Sequence, residues 1–339
     1  MGKDRSLPKR MPIFFISYAF KLTGRNCRDA RVYAGITGSF KFIFSHRINK
    51  NYFDRHCFPI FIELLIFERM HPQSVPAVLF EHILFHSDFL KRNVDVDFYL
   101  PGTDLPVHAG YSLLLINDGQ DMIDLGLKPM LQTMFAERRL GPLLCIGLHA
   151  SKDRKMEYGT AGRADYMGRG ARAGAYTSFI MKELLPFVYR KFGVPGFREK
   201  AFAGFSLGGL MALDIVWNHP QEFTKTGVFS GSLWWRSRGL THGYVEETDR
   251  IIHQEIKKGA FYPGLKFYFT TGSLDETADR NHNGIIDSID DTLSLIDELV
   301  RKGYQTGGDI VYRNFEDGKH DVATWGRAMP EFLQWGWGL

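Results

Sequence analysis

From about residue 75 the apolar and polar positions fall into an ordered alternation of short and long periods. Val94, Val96, Phe98 and Leu100 alternate with Asp95, Asp97 and Tyr99, the two-residue period of a strand with one wet face. With Ala77–Leu90 before it, this predicts two strands joined by a short turn. Six further apolar runs read as strands buried on both faces: Ser112–Ile116, Leu143–Leu148, Lys200–Gly204, Thr226–Phe229, Lys266–Thr270 and Asp309–Arg313. Between them the period lengthens. Ala171–Phe192 carries Tyr176, Ile180, Leu184, Phe187 and Val188 at three- and four-residue steps; Gly209–Asn218 carries Leu210, Leu213 and Trp217; Thr292–Lys302 carries Leu293, Ile296 and Leu299. Strands alternating with helices predict an α/β fold with a mostly parallel central sheet and helices on both faces. The opening hairpin is expected as an antiparallel edge.

The first 73 residues follow no such order. Ile13–Phe20 and Phe40–Phe44 are aromatic-rich, but neither strict alternation nor a helical stripe persists. This stretch carries 13 Lys/Arg against 5 Asp/Glu, a net of +8, whereas the rest carries 29 against 33, a net of −4, so the chain's positive charge belongs to the extension. The expected organisation is therefore a basic, Phe-rich extension over 1–73 and a single α/β domain over 74–339. Lys9 and Arg10 precede the apolar run Met11–Phe20, but Lys21-Leu22-Thr23 offers no small-x-small cleavage site. Translation starting at Met70 is one reading of the extension; a membrane-surface or partner-binding segment is the other. The basic residues form no nucleic-acid motif, and no nucleic-acid partner is expected. The longest apolar stretches are about half a membrane span, so no transmembrane segment is expected. Three cysteines, Cys27, Cys57 and Cys145, are too few for a disulfide scaffold. Without an export signal the expected location is cytoplasmic, with the periplasm as the alternative. The pattern sets no oligomeric state.

The strands also indicate where chemistry belongs, because in such sheets ligands bind at the carboxyl ends of the strands. Lys200–Gly204 runs into Gly204-Phe205-Ser206-Leu207-Gly208-Gly209, a G-x-S-x-G between a strand and a helix. The turn brings the residues two before and two after the serine together, so both must be very small. It presents the Ser206 hydroxyl and leaves the Leu207 N–H free for an oxyanion. A serine nucleophile needs a base and the base an orienting carboxylate. Asp275 follows the strand Lys266–Thr270, and His320 follows the strand Asp309–Arg313. The order serine, acid, histidine fits this turn; Glu276 and Asp279 are alternative acids. The loop Asn117-Asp118-Gly119-Gln120-Asp121 follows Ser112–Ile116, and the Gln120 N–H is the expected second oxyanion donor.

From about residue 80 to the end, the chain resembles the putative-esterase family of the α/β-hydrolases, which takes in esterase D-like enzymes, feruloyl esterases and enterochelin esterase-like siderophore esterases. The resemblance is carried by INDGQDM (116–122), DRKMEYG (153–159), the stretch from Tyr176 to Pro186 with ELLP, AGFSLGGLMAL (203–213), FSGSLWW (229–235), TGSLDE (271–276) and DGKHDVATW (317–325). It implies the α/β-hydrolase fold, Ser206, His320 and Asp275 as catalytic residues, and Gln120 and Leu207 as oxyanion donors. It also marks Trp234 and Trp235 as substrate-side residues. Arg154, Glu157 and Tyr158 either border the pocket or brace the sheet.

The expected function is a serine hydrolase acting on small-molecule carboxylic esters through an acyl-enzyme. An acyltransferase using the same triad, or a non-catalytic calcium-braced binding protein, are the alternatives. Residues 279–290 add a second motif. Asp279, Asn281, Asn283, Asp287 and Asp290 stand at positions 1, 3, 5, 9 and 12 of an EF-hand-like loop, with Gly284 at position 6 and the Ile285 carbonyl at position 7. This predicts a structural Ca²⁺ near Asp275, with no cofactor for the chemistry itself. A metal-free loop closed by Asx turns is the alternative.

Overall fold

The computed structural model describes residues 77–102, 107 and 110–339, together with the backbone of three strands in the first 44 residues. Those strands, β1 (Ile16–Tyr18), β2 (Ala30–Ala34) and β3 (Phe40–Phe44), form an antiparallel sheet in the order β1-β2-β3. β1 and β3 arise in the aromatic-rich stretches Ile13–Phe20 and Phe40–Phe44, and β2 lies between them. The readings of Met70 as a start and of Met11–Phe20 as a leader fall outside the described residues. Contacts divide the chain into two compact units, Met1–Ser74 and Val75–Leu339.

The second unit is built on eight strands. They are β4 (Val78–Ser87), β5 (Arg92–Pro101), β6 (Ser112–Asn117), β7 (Leu143–Leu148), β8 (Lys200–Phe205), β9 (Lys225–Phe229), β10 (Lys266–Leu274) and β11 (Ile310–Lys319), in the order β11-β10-β9-β8-β6-β7-β5-β4. The β4–β5 hairpin is the antiparallel edge, β5 also runs antiparallel to β7, and all other pairs are parallel. The strands lie where the apolar runs predict them. Two run further: β10 continues to Leu274 and β11 to Lys319, whose segment Arg313–Lys319 is mostly exposed and so lacks an apolar signature.

The helices that matter here are α1 (Leu127–Ala136), α2 (Ala173–Phe179), α3 (Leu185–Phe192), α4 (Leu207–Asn218), α5 (Ile251–Lys258), α6 (Asp287–Lys302) and α7 (Val322–Trp337). A π turn, Ile180–Leu184, joins α2 to α3 inside the single helix that the sequence predicts, just before Pro186, which has no N–H to donate. Strand side chains divide strictly by parity. Leu113, Leu115, Phe202, Phe267 and Phe269 pack in one core with α2 to α6. Leu114, Ile116, Ala201, Ala203 and Tyr268 pack in a second core with α1 and α7. No helix among the described residues is long and apolar enough to cross a membrane.

Strand β6 is the switch of the topology: the chain passes from it to β7 on one side, and β8 lies on the other. The loops after β6 and β8 therefore diverge to opposite faces and leave a crevice at their carboxyl ends.

Phe332 of α7 is fully buried and meets Phe229 edge-on with ring centroids 5.4 Å apart. Phe332→Ala should cost about 3–5 kcal/mol, read from the shift of the urea unfolding midpoint.

Candidate active site

The sharpest local strain lies at the end of β8. Ser206 has φ 53° and ψ −121°, a conformation that costs a residue with a Cβ of order 1–3 kcal/mol. The surroundings impose it. The Ser206 N–H donates to the Phe229 carbonyl (2.8 Å), and the Ser206 carbonyl accepts from Ser232 (3.0 Å) and from α4. A Cβ on Gly204 would lie 2.3 Å from the Gly208 carbonyl oxygen, which is the close approach that the G-x-S-x-G spacing requires. Leu207 opens α4, so its N–H has no acceptor within the helix. The Ser206 hydroxyl lies 3.3 Å from that of Ser232.

The loop after β6 is held against this turn by side chains. Asp118 sits in the left-handed region at φ 61° and starts the turn Gly119–Asp121, in which the Gln120 N–H again has no acceptor within the turn. Arg154 donates from Nε and Nη2 to the two Asp118 carboxylate oxygens (2.6 and 2.7 Å) and from Nη2 to the Phe205 carbonyl (3.2 Å). One guanidinium thus ties the loop to the residue before Ser206. Asn117 donates to the Gly208 carbonyl (2.8 Å) and accepts from the Tyr176 hydroxyl (2.6 Å), while the Asp118 N–H donates to the Tyr158 hydroxyl (3.4 Å).

Asp275 and His320 are brought together by strand register. The last cross-strand pair of β10 and β11 is Leu274 with Lys319, so the next residue of each strand is Asp275 and His320. Gly272 and Gly318 allow this approach, because a Cβ on Gly272 would lie 2.4 Å from the Gly318 oxygen. Asp275 is nearly buried; its Oδ2 accepts from the Gly272 N–H (3.0 Å), while its Oδ1 makes no hydrogen bond and lies 3.9 Å from His320 Nδ1. Trp325 fixes the ring from the other side. It meets His320 edge-on (5.3 Å between centroids), stacks on Phe205 (5.0 Å) and donates from Nε1 to the Ser230 hydroxyl (3.1 Å). Burial pulls the His320 pKa below its usual value near 6.5; Asp275 opposes this and the Arg154 charge adds to it. Burial raises the pKa of Glu276, the alternative acid.

The remaining candidates separate by burial. Glu157 is fully buried, pairing with Arg92 (2.7 Å), and Tyr158 is fully buried beneath Arg154, so both brace the fold. Trp235 does not face substrate either. It has no exposed surface, because its ring fills the room left by Gly159 and Gly170. Trp234 is half-buried beside the Arg169 and Arg236 guanidiniums (5.0 and 5.8 Å). Asp118 and Ser232 were missed as functional residues. Both stand inside the quoted motifs, but their partners lie 36 and 26 residues away, and no local spacing signals them.

In the 279–290 loop the Asp279 carboxylate accepts from the Asn283 and Gly284 N–H groups (3.1 and 2.9 Å), and Asn281 donates to Asp290 (2.8 Å). Gly284 takes φ 85°. Asp287 is engaged elsewhere, accepting from the Arg280 N–H (2.9 Å) with the Arg280 guanidinium 3.2 Å away. Asp287 and Asp290 form part of the first turn of α6, which begins earlier than its apolar stripe indicates.

A family profile described as putative esterase matches residues 87–335. The chain belongs to the putative esterase family. Its fold is the α/β-hydrolase fold. It is 27% identical over 150 residues to the uncharacterized protein YbbA of Bacillus subtilis, covering 42% of this chain and 58% of that one. It is 23% identical over 243 residues to the iron(III) salmochelin esterase of Escherichia coli, covering 70% of this chain and 53% of the relative. The enterobactin esterase FES of Shigella flexneri superposes with a TM-score of 0.57 at 20% identity, over 77% of this chain and 61% of that one, a likeness of fold. The chain thus spans little more than half the length of these relatives.

Removing Arg154 leaves Asp118 charged, buried and unpaired. Arg154→Ala should lower stability by about 3–5 kcal/mol. It should also raise the His320 pKa, since the lowering charge is gone; an NMR titration of the imidazole reads this directly.

Proposed function

We propose that this esterase hydrolyses small-molecule carboxylic esters through an acyl-enzyme on Ser206. His320 takes the Ser206 proton as Oγ attacks the ester carbonyl, and later returns it to the leaving alcohol. Asp275 orients the imidazole through Nδ1 and stabilises its charged form. The N–H groups of Gln120 and Leu207 hold the oxyanion. Water then attacks the acyl-enzyme, with His320 as base, and releases the acid. The observation that carries this reading is the strained Ser206 between β8 and the N-terminus of α4, the conformation that presents a nucleophile's hydroxyl at a strand-to-helix turn. The 3.9 Å gap between Asp275 Oδ1 and His320 Nδ1 supports it, since a small ring movement closes it onto an oxygen with no other partner. Relatives named for salmochelin and triacetylfusarinine C make siderophore esters the first substrates to assay, beside simple aryl esters.

Ser206→Ala should leave the fold intact, abolish labelling by a fluorophosphonate and lower kcat by about 10⁴–10⁶. The neutral imidazole is the active base, and its pKa is lowered. Activity should therefore fall only as pH drops through a value below 6.5. A stopped pH series of kcat/KM on an aryl ester measures this limb; a midpoint well above 6.5 speaks against His320.

We propose, too, that Asp279, Asn281, Asn283 and Asp290, with the Ile285 carbonyl, hold a structural Ca²⁺. Asp279 and Asp290 supply the hard oxygens, and Gly284 the turn. Asp287 stays with Arg280. Calcium should raise the melting temperature, and Asp279→Ala should remove that rise; the loss of its two loop hydrogen bonds also lowers the chelator-treated stability by about 1 kcal/mol.

A further inference from the structure

A second group of metal-ligating side chains lies away from the 279–290 loop, on the antiparallel edge. His82 of β4 stands directly opposite Asp97 of β5 in the strand register, and Asp97 stands opposite Gly147 of β7. His149, two residues beyond Gly147, returns to the same face. Three neighbouring strands thus place two imidazoles and a carboxylate together. His82 Nδ1 lies 2.7 Å from Asp97 Oδ1, and His149 Nε2 lies 2.8 Å from Asp97 Oδ2. All three donor atoms lie within 4.8 Å of one another.

We propose that His82, Asp97 and His149 form a seat for a divalent transition-metal ion of the zinc class. Asp97 is buried, and a buried carboxylate requires a positive partner. Its ion pairs among the described residues are with these two imidazoles, and neither Lys nor Arg supplies one. Two imidazole nitrogens and a carboxylate oxygen suit zinc; hard ions such as Ca²⁺ prefer oxygen alone. In tetrahedral coordination the donors stand about 3.3 Å apart, given metal–ligand bonds of about 2.0–2.1 Å. The two Asp97 contacts need to open by about half an ångström, and the two imidazole nitrogens, within 4.8 Å of each other, need to close by up to about 1.5 Å, which rotation of the partly exposed rings supplies. The outer ligation is already in place. His82 Nε2 lies 3.2 Å from Asp95 Oδ1, so a carboxylate waits to hold the remaining N–H when Nδ1 binds metal. His82 is half exposed and His149 partly exposed, which leaves an open side for water as the fourth ligand.

The seat adjoins the Gly119–Asp121 turn. A Cβ on Gly119 would lie 2.8 Å from the His149 ring, and the Ala150 N–H donates to the Gln120 side chain (3.0 Å). A metal here would clamp the β4–β5 hairpin to the end of β7 directly beneath that turn. It needs no assumption about what Ser206 does.

The test is zinc titration of the chelator-stripped full chain against a chromophoric zinc chelator, with thermal melting in parallel. Cysteine thiolates in general bind zinc, so Cys27 and Cys57 are replaced by Ser throughout. One zinc per chain at micromolar affinity or tighter, with a zinc-dependent rise in Tm, is expected. His82→Ala and His149→Ala should abolish both effects, Asp95→Asn should weaken binding by about tenfold, and Asp279→Ala should leave zinc binding unchanged. The ring of His82 is half exposed, so His82→Ala keeps the test valid even if His149→Ala fails to fold. Absence of saturable binding at micromolar zinc, or binding that survives His82→Ala, overturns the proposal.

Discussion

Two turns meet at the rim of the sheet, one after β6 and one after β8, and the Arg154–Asp118 ion pair holds them at a fixed distance. Both turns carry backbone N–H groups with no acceptor of their own, and both include a non-glycine residue at positive φ, Asp118 and Ser206. Neither conformation is comfortable in isolation. The bidentate contact, the Arg154 donation to the Phe205 carbonyl and the Asn117–Gly208 bond convert two strained pieces into one rigid rim. A hole for a developing oxyanion must be preorganised in this way, since donors that reorganise during the reaction lose most of their benefit.

The other half of the rim depends on register. β10 and β11 remain paired as far as Leu274 and Lys319, beyond the point where their sequences stop being apolar. That pairing delivers Asp275 and His320 side by side. Trp325 then links the His320 ring to Phe205, and so to Ser206, through two aromatic contacts. The same rim lowers the affinity of His320 for a proton, through burial and through the Arg154 charge, so one cation serves both halves.

Much of this was legible in the residues. Alternation in Val94–Leu100 and the all-apolar runs located every strand of the main sheet, because burial on one or two faces leaves a period in the sequence. Ser206 could be named because it ends a strand in a G-x-S-x-G turn, and Asp275 and His320 because they follow later apolar runs in the order serine, acid, histidine. What could not be read were contacts with no period behind them. Trp235 looks as available for substrate as Trp234, yet the space left by Gly159 and Gly170, some 65 to 76 residues earlier, buries it. Asp287 has the spacing of a calcium ligand, yet Arg280 reaches it first. The carboxyl-terminal half of β11 was invisible because its side chains are mostly exposed.

By itself, then, the chain's pattern determined the layers, the positions of the strands and the identity of the serine turn, since these follow from local sterics and from which face each residue must bury. The tertiary structure alone decided which distant groups share a charge. Asp118 with Arg154, and Asp97 with His82 and His149, are such pairs, set by strand order and register. The reason is physical: a buried carboxylate must find a positive or polar partner, but nothing in its own neighbourhood along the chain says which one the folded sheet will bring.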